Sequence, residues 1–201
     1  MKFKIVLLFI CFFIFENGKS QVLRLNSGIS YSSFSHKDIN ILNSNIVSQS
    51  FSLSCDYLNK EYFELSSEIA YIRKGGKELN YAEIENNNVI YKNVEEKFNY
   101  LNINTTFRLK YYLSNNYIFV GFGPKVDFLL SDNELWTYDY TLNRVSFGFK
   151  PEIGFSQNLN RRISVGLNFS YLWNIGRIGK SEFSNLNNTY YKICFSLGYK
   201  L

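Results

Sequence analysis

The sequence predicts an all-β protein, an eight-stranded antiparallel up-and-down transmembrane β-barrel of the outer-membrane type. Three observations carry this. Apolar residues recur with period two along nearly all of residues 22–201. The alternate positions hold mostly Ser, Gly, Asn and Thr with scattered charges, which suits a cramped lumen better than a water-facing surface. The connections between apolar segments alternate between short and long. Composition agrees: sixteen Tyr and nineteen Phe in 201 residues are too many for a disordered chain. No series of apolar runs of about 20 residues is present to form a bundle of membrane helices. One His and three Cys make a His- or Cys-ligated metal site improbable.

Residues 1–20 read as a secretory signal peptide, and 21–201 as the barrel domain. Lys2 and Lys4 open the segment, residues 5–15 are apolar, and 16–20 turn polar, with the expected cut near Ser20 and Gln21. Eleven apolar residues are too few for a spanning helix. Removing residues 1–20 takes Lys plus Arg from 22 to 19 and Asp plus Glu from 17 to 16, leaving a net charge of +3. That is too mild for nucleic acid, and no nucleic-acid partner is expected. Two cysteines remain, Cys55 and Cys194, for which an exported protein leaves a disulfide open.

Each strand is justified by its alternation. The first, about 22–34, is the weakest, with Leu23, Leu25, Ile29 and Tyr31 on its apolar side. Residues 47–57 set Val47, Phe51, Leu53, Cys55 and Tyr57 against Ser48, Ser50, Ser52, Ser54 and Asp56. Residues 62–73 set Phe63, Leu65, Ile69 and Tyr71 against Glu64, Ser66, Glu68 and Ala70. Residues 100–113 oppose Leu101, Ile103, Phe107, Leu109, Tyr111 and Leu113 to Asn102, Asn104, Thr106, Arg108 and Lys110. Residues 117–130 oppose Ile118, Val120, Phe122, Pro124, Val126, Phe128 and Leu130 to Gly121, Gly123, Lys125 and Asp127. In 144–156 the apolar side holds Val145, Phe147, Phe149, Pro151, Ile153 and Phe155. In 162–175 it holds Ile163, Val165, Leu167, Phe169, Tyr171, Trp173 and Ile175. The last segment opposes Tyr191, Ile193, Phe195, Leu197, Tyr199 and Leu201 to Lys192, Cys194, Ser196, Gly198 and Lys200.

Length favours the membrane over a soluble lipocalin-like carrier. Twelve residues at about 3.3 Å each, tilted by about 40°, cover roughly 30 Å, enough for an apolar band about 25 Å tall. Connections at 58–61, 114–116 and 157–161 are short, whereas 35–46, 74–99, 131–143 and 176–189 are long. Tight periplasmic turns and longer outside loops are the outer-membrane pattern, with both termini in the periplasm. Aromatic residues gather near both interfaces, Tyr57, Phe63, Tyr111, Phe155 and Tyr199 below, and Tyr31, Tyr71, Phe128, Trp173 and Tyr191 above.

The runs Glu68-Ile-Ala-Tyr71-Ile-Arg73-Lys74-Gly75-Gly76-Lys77, Tyr100-Leu101-Asn102-Ile103 and Gly121-Phe-Gly123-Pro124 resemble, in order and spacing, the outer-membrane β-barrel domain of Bacteroidetes, the PorT-like proteins. The resemblance covers about 21–201. Asn102 and Asn104 stand where family members often carry an acidic residue and a proline. The resemblance implies fold and outer-membrane location, and a link to protein secretion.

Chemistry is sparse. An eight-stranded barrel is just wide enough to be filled by its own side chains. Arg24, Glu64, Glu68, Arg108, Lys110, Lys125, Asp127, Lys150, Glu152 and Lys192 face the expected lumen and mix both signs, so a structural ion-pair network plugging the barrel is expected. A narrow proton or ion path is the alternative. A lipid-modifying enzyme would need a nucleophile and base. The single His, His36, lies among Ser32, Ser33, Ser35 and Asp38 in the first outside loop, where adjacent residues rarely make triad geometry. No catalytic residue, cofactor or metal is therefore expected. Glu95 and Glu96 are read as a solvated run, and the charge-rich 74–97 as text that could extend the strands above the membrane. Arg73-Lys74-Gly75-Gly76-Lys77 is read as a turn leaving the membrane, because no helix follows for a phosphate loop. Gly121 and Gly123 are expected to leave lumen space for Lys125 or opposing side chains, and Pro124 and Pro151 to cause bulges. Expected partners are outer-membrane lipid and lipopolysaccharide, and secretion or surface proteins meeting loops 74–99 and 176–189. A monomer carrying an adhesion, secretion-accessory or envelope-integrity role is expected.

Overall fold

Period-two apolar patterning forces one face of every strand away from water, and closure into a cylinder satisfies all backbone donors without leaving an edge. The computed structural model describes residues 21–36, 44–85, 88–132, 141–176, 179–180 and 185–201. The expected signal peptide lies outside these residues. The wall consists of β1 (Val22–His36), β2 (Ile46–Tyr57), β3 (Phe63–Glu85), β4 (Asn88–Leu113), β5 (Asn116–Asp132), β6 (Val145–Asn158), β7 (Ile163–Tyr171, continued by Trp173–Ile175) and β8 (Asn185–Lys200). Each pairs antiparallel with the next, and β8 closes on β1 from Val22↔Lys200 to His36↔Leu186. A short strand, Gly179–Lys180, pairs with the start of β8 on one side and with a second short strand, Thr141–Leu142, on the other.

The turns at one end are tight. Ser114, at φ 61°, is the first of two residues joining Leu113 to Asn116, and Leu58 has φ 52° in the β2–β3 turn. At the other end β3 and β4 run on well past the rest of the wall. Arg73–Lys77 is paired strand rather than a turn, and the connection over 74–99 is paired strand as far as Glu85↔Asn88, the extension above the membrane that its charge-rich text allows. The extension follows from the text: alternating Lys, Glu, Tyr and Ile suits a two-sided ribbon in water, and it carries one irregularity between Glu78 and Tyr81.

The apolar side faces outward. Leu25, Phe51, Leu53, Ile69, Phe107, Phe122, Phe147, Leu167 and Phe195 are all exposed, and together they form a belt around the cylinder. A soluble protein rarely exposes apolar patches beyond a few hundred Å². The girdle residues Tyr31, Tyr71, Phe128, Trp173 and Tyr191 stand on this surface at one end, and Phe63, Tyr111, Phe155 and Tyr199 at the other.

The expectation of proline bulges fails, and the open question of a disulfide is answered. Neither proline causes a bulge: the β5–β6 register runs unbroken through Phe122↔Pro151 and Pro124↔Phe149. The prolines instead remove rungs. The β4–β5 ladder keeps its register but skips Thr105 and Thr106 opposite Pro124 and Gly123, and the β6–β7 ladder skips Tyr171 and Leu172 opposite Pro151 and Lys150. A missing N–H costs a hydrogen bond without requiring an extra residue. No disulfide joins the cysteines, which are both free. Cys55 lies on the outward face and Cys194 on the buried inner face, so the wall separates them.

Candidate functional site

The inward face of the barrel is almost wholly polar, and its charged groups are buried together. Near the tight-turn end, Arg24 on β1 pairs through Nε with Asp56 of β2, and donates from Nη2 to the Tyr117 hydroxyl of β5 at 2.8 Å. Arg108 on β4 reaches three carboxylates: Asp56 at 3.1 Å, Glu64 at 3.2 Å and Glu152 at 2.5 Å. Its guanidinium also lies over the Phe119 ring, 4.6 Å from the centroid. Lys110 sits 3.6 Å from Glu64 and donates to the Asn59 side chain.

Higher in the lumen, Glu68 of β3 accepts from both Lys150 of β6 and Lys192 of β8. Lys150 also pairs with Glu152 at 2.9 Å. Asp127 of β5 takes Lys74 at 2.6 Å and Lys125 at 2.5 Å on one oxygen, and the Asn102 amide on the other. The Asn104 amide donates to Asn102 at 2.7 Å, linking this group to Lys150, which donates to the Asn104 oxygen at 3.1 Å.

All ten lumen residues singled out from the sequence therefore face inward and are buried. Two members were missed. Asp56 was placed on the polar face but not among the charged lumen groups. Lys74 falls in a run that reads both as a turn and as text able to extend the strand, so its inward side is not legible there. With both included, seven cations (Arg24, Lys74, Arg108, Lys110, Lys125, Lys150, Lys192) meet five carboxylates (Asp56, Glu64, Glu68, Asp127, Glu152), an excess of two positive charges among the described lumen residues of this network.

Half of these ten ion pairs join strands that are not neighbours in the wall. Glu68 ties β3 to β6 and β8, Arg108 ties β4 to β2 and β6, and Arg24 ties β1 to β5. Such ties brace the cylinder across its diameter, where backbone ladders brace only adjacent strands. Small residues make room for them. A Cβ on Gly121 would meet Glu152, Thr106 and Arg108 side chains at 2.9–3.0 Å, and one on Gly148 would meet both the Trp173 carbonyl oxygen at 1.9 Å and Lys125 at 2.9 Å. Gly123 answers a different need: a Cβ there would lie 1.9 Å from the Thr105 carbonyl oxygen, so only glycine permits this approach of β5 to β4.

Above the network lies an apolar layer that was not foreseen. Phe34, Ala70, Ile72, Phe98, Tyr100, Leu172 and Tyr190 are buried and pack together, with Leu129 against them. Phe34 and Phe98 are 5.4 Å apart between ring centroids. This layer covers the charged lumen on the side of the long strands. Its sequence signal is the local failure of alternation at one level of several strands: Tyr71-Ile72, Tyr100-Leu101, Leu129-Leu130, Tyr171-Leu172-Trp173 and Tyr190-Tyr191.

Above this layer, Glu95 and Glu96 do not form the solvated run expected. Alternation splits them: Glu95 is exposed beside Lys97 at 2.9 Å, while Glu96 turns inward opposite Gly76 and is buried. Burial raises the Glu96 carboxyl to about 7. His36 ends β1, and Asp38 lies outside the described residues. Among the described residues no group of three or more His, Cys, Asp or Glu is arranged to hold a metal ion.

Comparisons with known proteins agree with this geometry. Residues 20–178 match the family model described as the outer membrane protein beta-barrel domain. No curated protein is similar enough in sequence to count as a relative. Among solved structures, the chain is similar to Neisserial surface protein A, at 13% identity and a TM-score of 0.56, over 89% of this chain and 97% of that one. Ail, the attachment invasion locus protein of Yersinia pestis, also matches, at 12% identity and a TM-score of 0.45, over 90% and 98% of the two chains. So does the outer membrane protease OmpT from Escherichia coli, at 9% identity and a TM-score of 0.42, over 92% and 97%. The likeness to the Neisserial protein shows the shared fold. The apolar belt, the charged lumen, the closed ring of eight strands and the family match lead to one statement: the chain is an integral outer-membrane protein and belongs to the outer membrane protein β-barrel domain family.

Proposed function

We propose that this protein is a non-enzymatic outer-membrane anchor whose plugged barrel displays the β3–β4 ribbon to a protein partner outside the cell. The ribbon carries the proposal. From the Tyr71↔Leu101 rung to Glu85↔Asn88, β3 runs 14 residues, about 45 Å at roughly 3.3 Å per residue. Among the described residues, β3 beyond Glu78 and β4 before Phe98 pair only with each other. Such a two-stranded ribbon offers its edges to strand addition by an extended peptide. Leu79, Val89, Ile90 and Tyr91 are exposed on the ribbon and would give such a peptide apolar contacts.

The ion-pair network and its apolar cover support a structural rather than a conducting lumen. The resemblance to PorT-like proteins of Bacteroidetes favours a secretion-linked partner over a host surface. A photo-crosslinking residue at Tyr91, with Tyr111 in the lipid belt as control, tests the reading on intact cells. Crosslinks from 91 to a discrete protein, lost when residues 79–94 are replaced by a short turn, are expected. Crosslinks from 91 to lipopolysaccharide only, with an unchanged envelope in the ribbon deletion, would overturn it.

A further inference from the structure

We propose that the periplasmic rim carries a phospholipid site, in which Arg161, Arg162 and Lys200 bind the phosphate of an anionic phospholipid of the periplasmic leaflet. The tight-turn end of the barrel is the periplasmic one in this architecture. There the β6–β7 turn is held by Asn160, whose side-chain oxygen accepts from the backbone N–H of Arg162 at 2.8 Å and of Ile163 at 2.7 Å. The end of β8 is fastened to the same turn, because the Lys200 N–H donates to the Arg162 carbonyl at 2.7 Å. Two rigid segments thus bring three cations to one seam.

Those cations have no anionic partner: among the described residues none of Arg161, Arg162 and Lys200 enters an ion pair, whereas every lumen cation does. The Arg162 side chain donates to the Tyr199 hydroxyl at 3.5 Å. An open hollow of about 520 Å³ is lined by Arg161, Arg162, Tyr199, Lys200 and Leu201. Arginine forks match phosphate oxygens two at a time, and lysine adds a point charge.

The occupant is a lipid rather than a soluble phosphate because of what borders the hollow. Leu159, Ile163, Tyr199 and Leu201 are exposed around the same seam and continue the lipid-facing belt. A phosphate held by the three cations would leave its acyl chains lying on this apolar wall. A free phosphate would use only half of the site.

Purified barrel in nanodiscs tests the site. With phosphatidylglycerol against phosphatidylcholine as the probe, native mass spectrometry should show phosphatidylglycerol retained preferentially. Retention should fall by about fivefold per cation removed in Arg161→Gln, Arg162→Gln and Lys200→Gln, and weaken with salt. Each single variant is checked for the heat-modifiable band of a folded barrel, so the reading does not depend on a triple variant folding. Equal retention of the two lipids, or unchanged retention in folded single variants, overturns the proposal. So does equal competition by glycerol phosphate without acyl chains, which would make the hollow a site for free phosphate.

Discussion

Glu68→Gln is the most informative single change in the lumen. The substitution keeps the side chain's volume and removes only its charge. In the native barrel this carboxylate on β3 holds two ammonium groups, Lys150 of β6 and Lys192 of β8, across the lumen, and it is buried. The variant leaves Lys192 with no carboxylate, while Lys150 keeps Glu152 at 2.9 Å. The network's excess of cations rises from two to three. Stripping one partner from a buried pair costs about 3–5 kcal/mol, and the change should lower the unfolding free energy in lipid vesicles by that amount. Lys192→Met supplies the contrast, because it leaves Glu68 paired with Lys150 and reduces the cation excess. Replacing a buried charge by an apolar side chain that leaves no orphan should cost no more than about 1 kcal/mol. Urea titration of both variants, read by the shift between folded and unfolded gel mobility, measures the difference. Equal losses in the two variants, or a loss below about 1 kcal/mol for Glu68→Gln, would refute the view that the network braces the barrel.

Other outcomes follow from the same geometry. Arg108→Ala removes a tie among β2, β3, β4 and β6, and should lower the unfolding temperature without opening a conductance in planar bilayers; a clear rise in conductance counts against a structural plug. Gly123→Ala drives a methyl into the Thr105 carbonyl and should destabilise the barrel by about 1–3 kcal/mol, measured by the same urea titration. For Glu96, in the extension above the membrane, the carboxyl sits at about 7, above its ordinary value. Its neutral form is favoured by burial, so its contribution to the closed ribbon is complete below the ordinary carboxylate range and is lost as pH rises through about 7. Hydrogen exchange of the β3–β4 ribbon should therefore quicken from pH 5 to 8 beyond the intrinsic rate, and Glu96→Gln should flatten that dependence.

The strands were legible because burial on one face and lipid on the other impose a period of two that turn residues cannot blur. The lumen charges followed from the same parity, which is why Glu68, Arg108 and Lys150 could be placed without knowing their partners. Parity says nothing of height or reach, however. Lys74 stands where the sequence allows either a turn or a strand continued above the membrane, because a ribbon in water has no lipid face to enforce strict alternation. The inner apolar layer of Ile72, Tyr100 and Leu172 was missed for a related reason: next to an outward aromatic, an inward apolar residue looks like noise in the pattern. Pro124 and Pro151 were misjudged because the sequence shows a missing donor but not whether the neighbouring strand shifts register to meet it. Which cation meets which carboxylate depends on strand stagger across the barrel, which no local pattern carries.

The most direct test of the central claim, that the apolar face meets lipid and the charged face fills the lumen, is a spin-label scan along β5. Single cysteines at 118–128, leaving Gly121 and Gly123 unchanged, are introduced after Cys55 and Cys194 are changed to Ser, and accessibility to oxygen and to a water-soluble relaxation agent is measured in bilayers. Oxygen accessibility should peak at 118, 120, 122, 126 and 128, with positions 119, 125 and 127 immobile and shielded from both agents. The opposite phase, with the even positions shielded and the odd ones open to water, would contradict it.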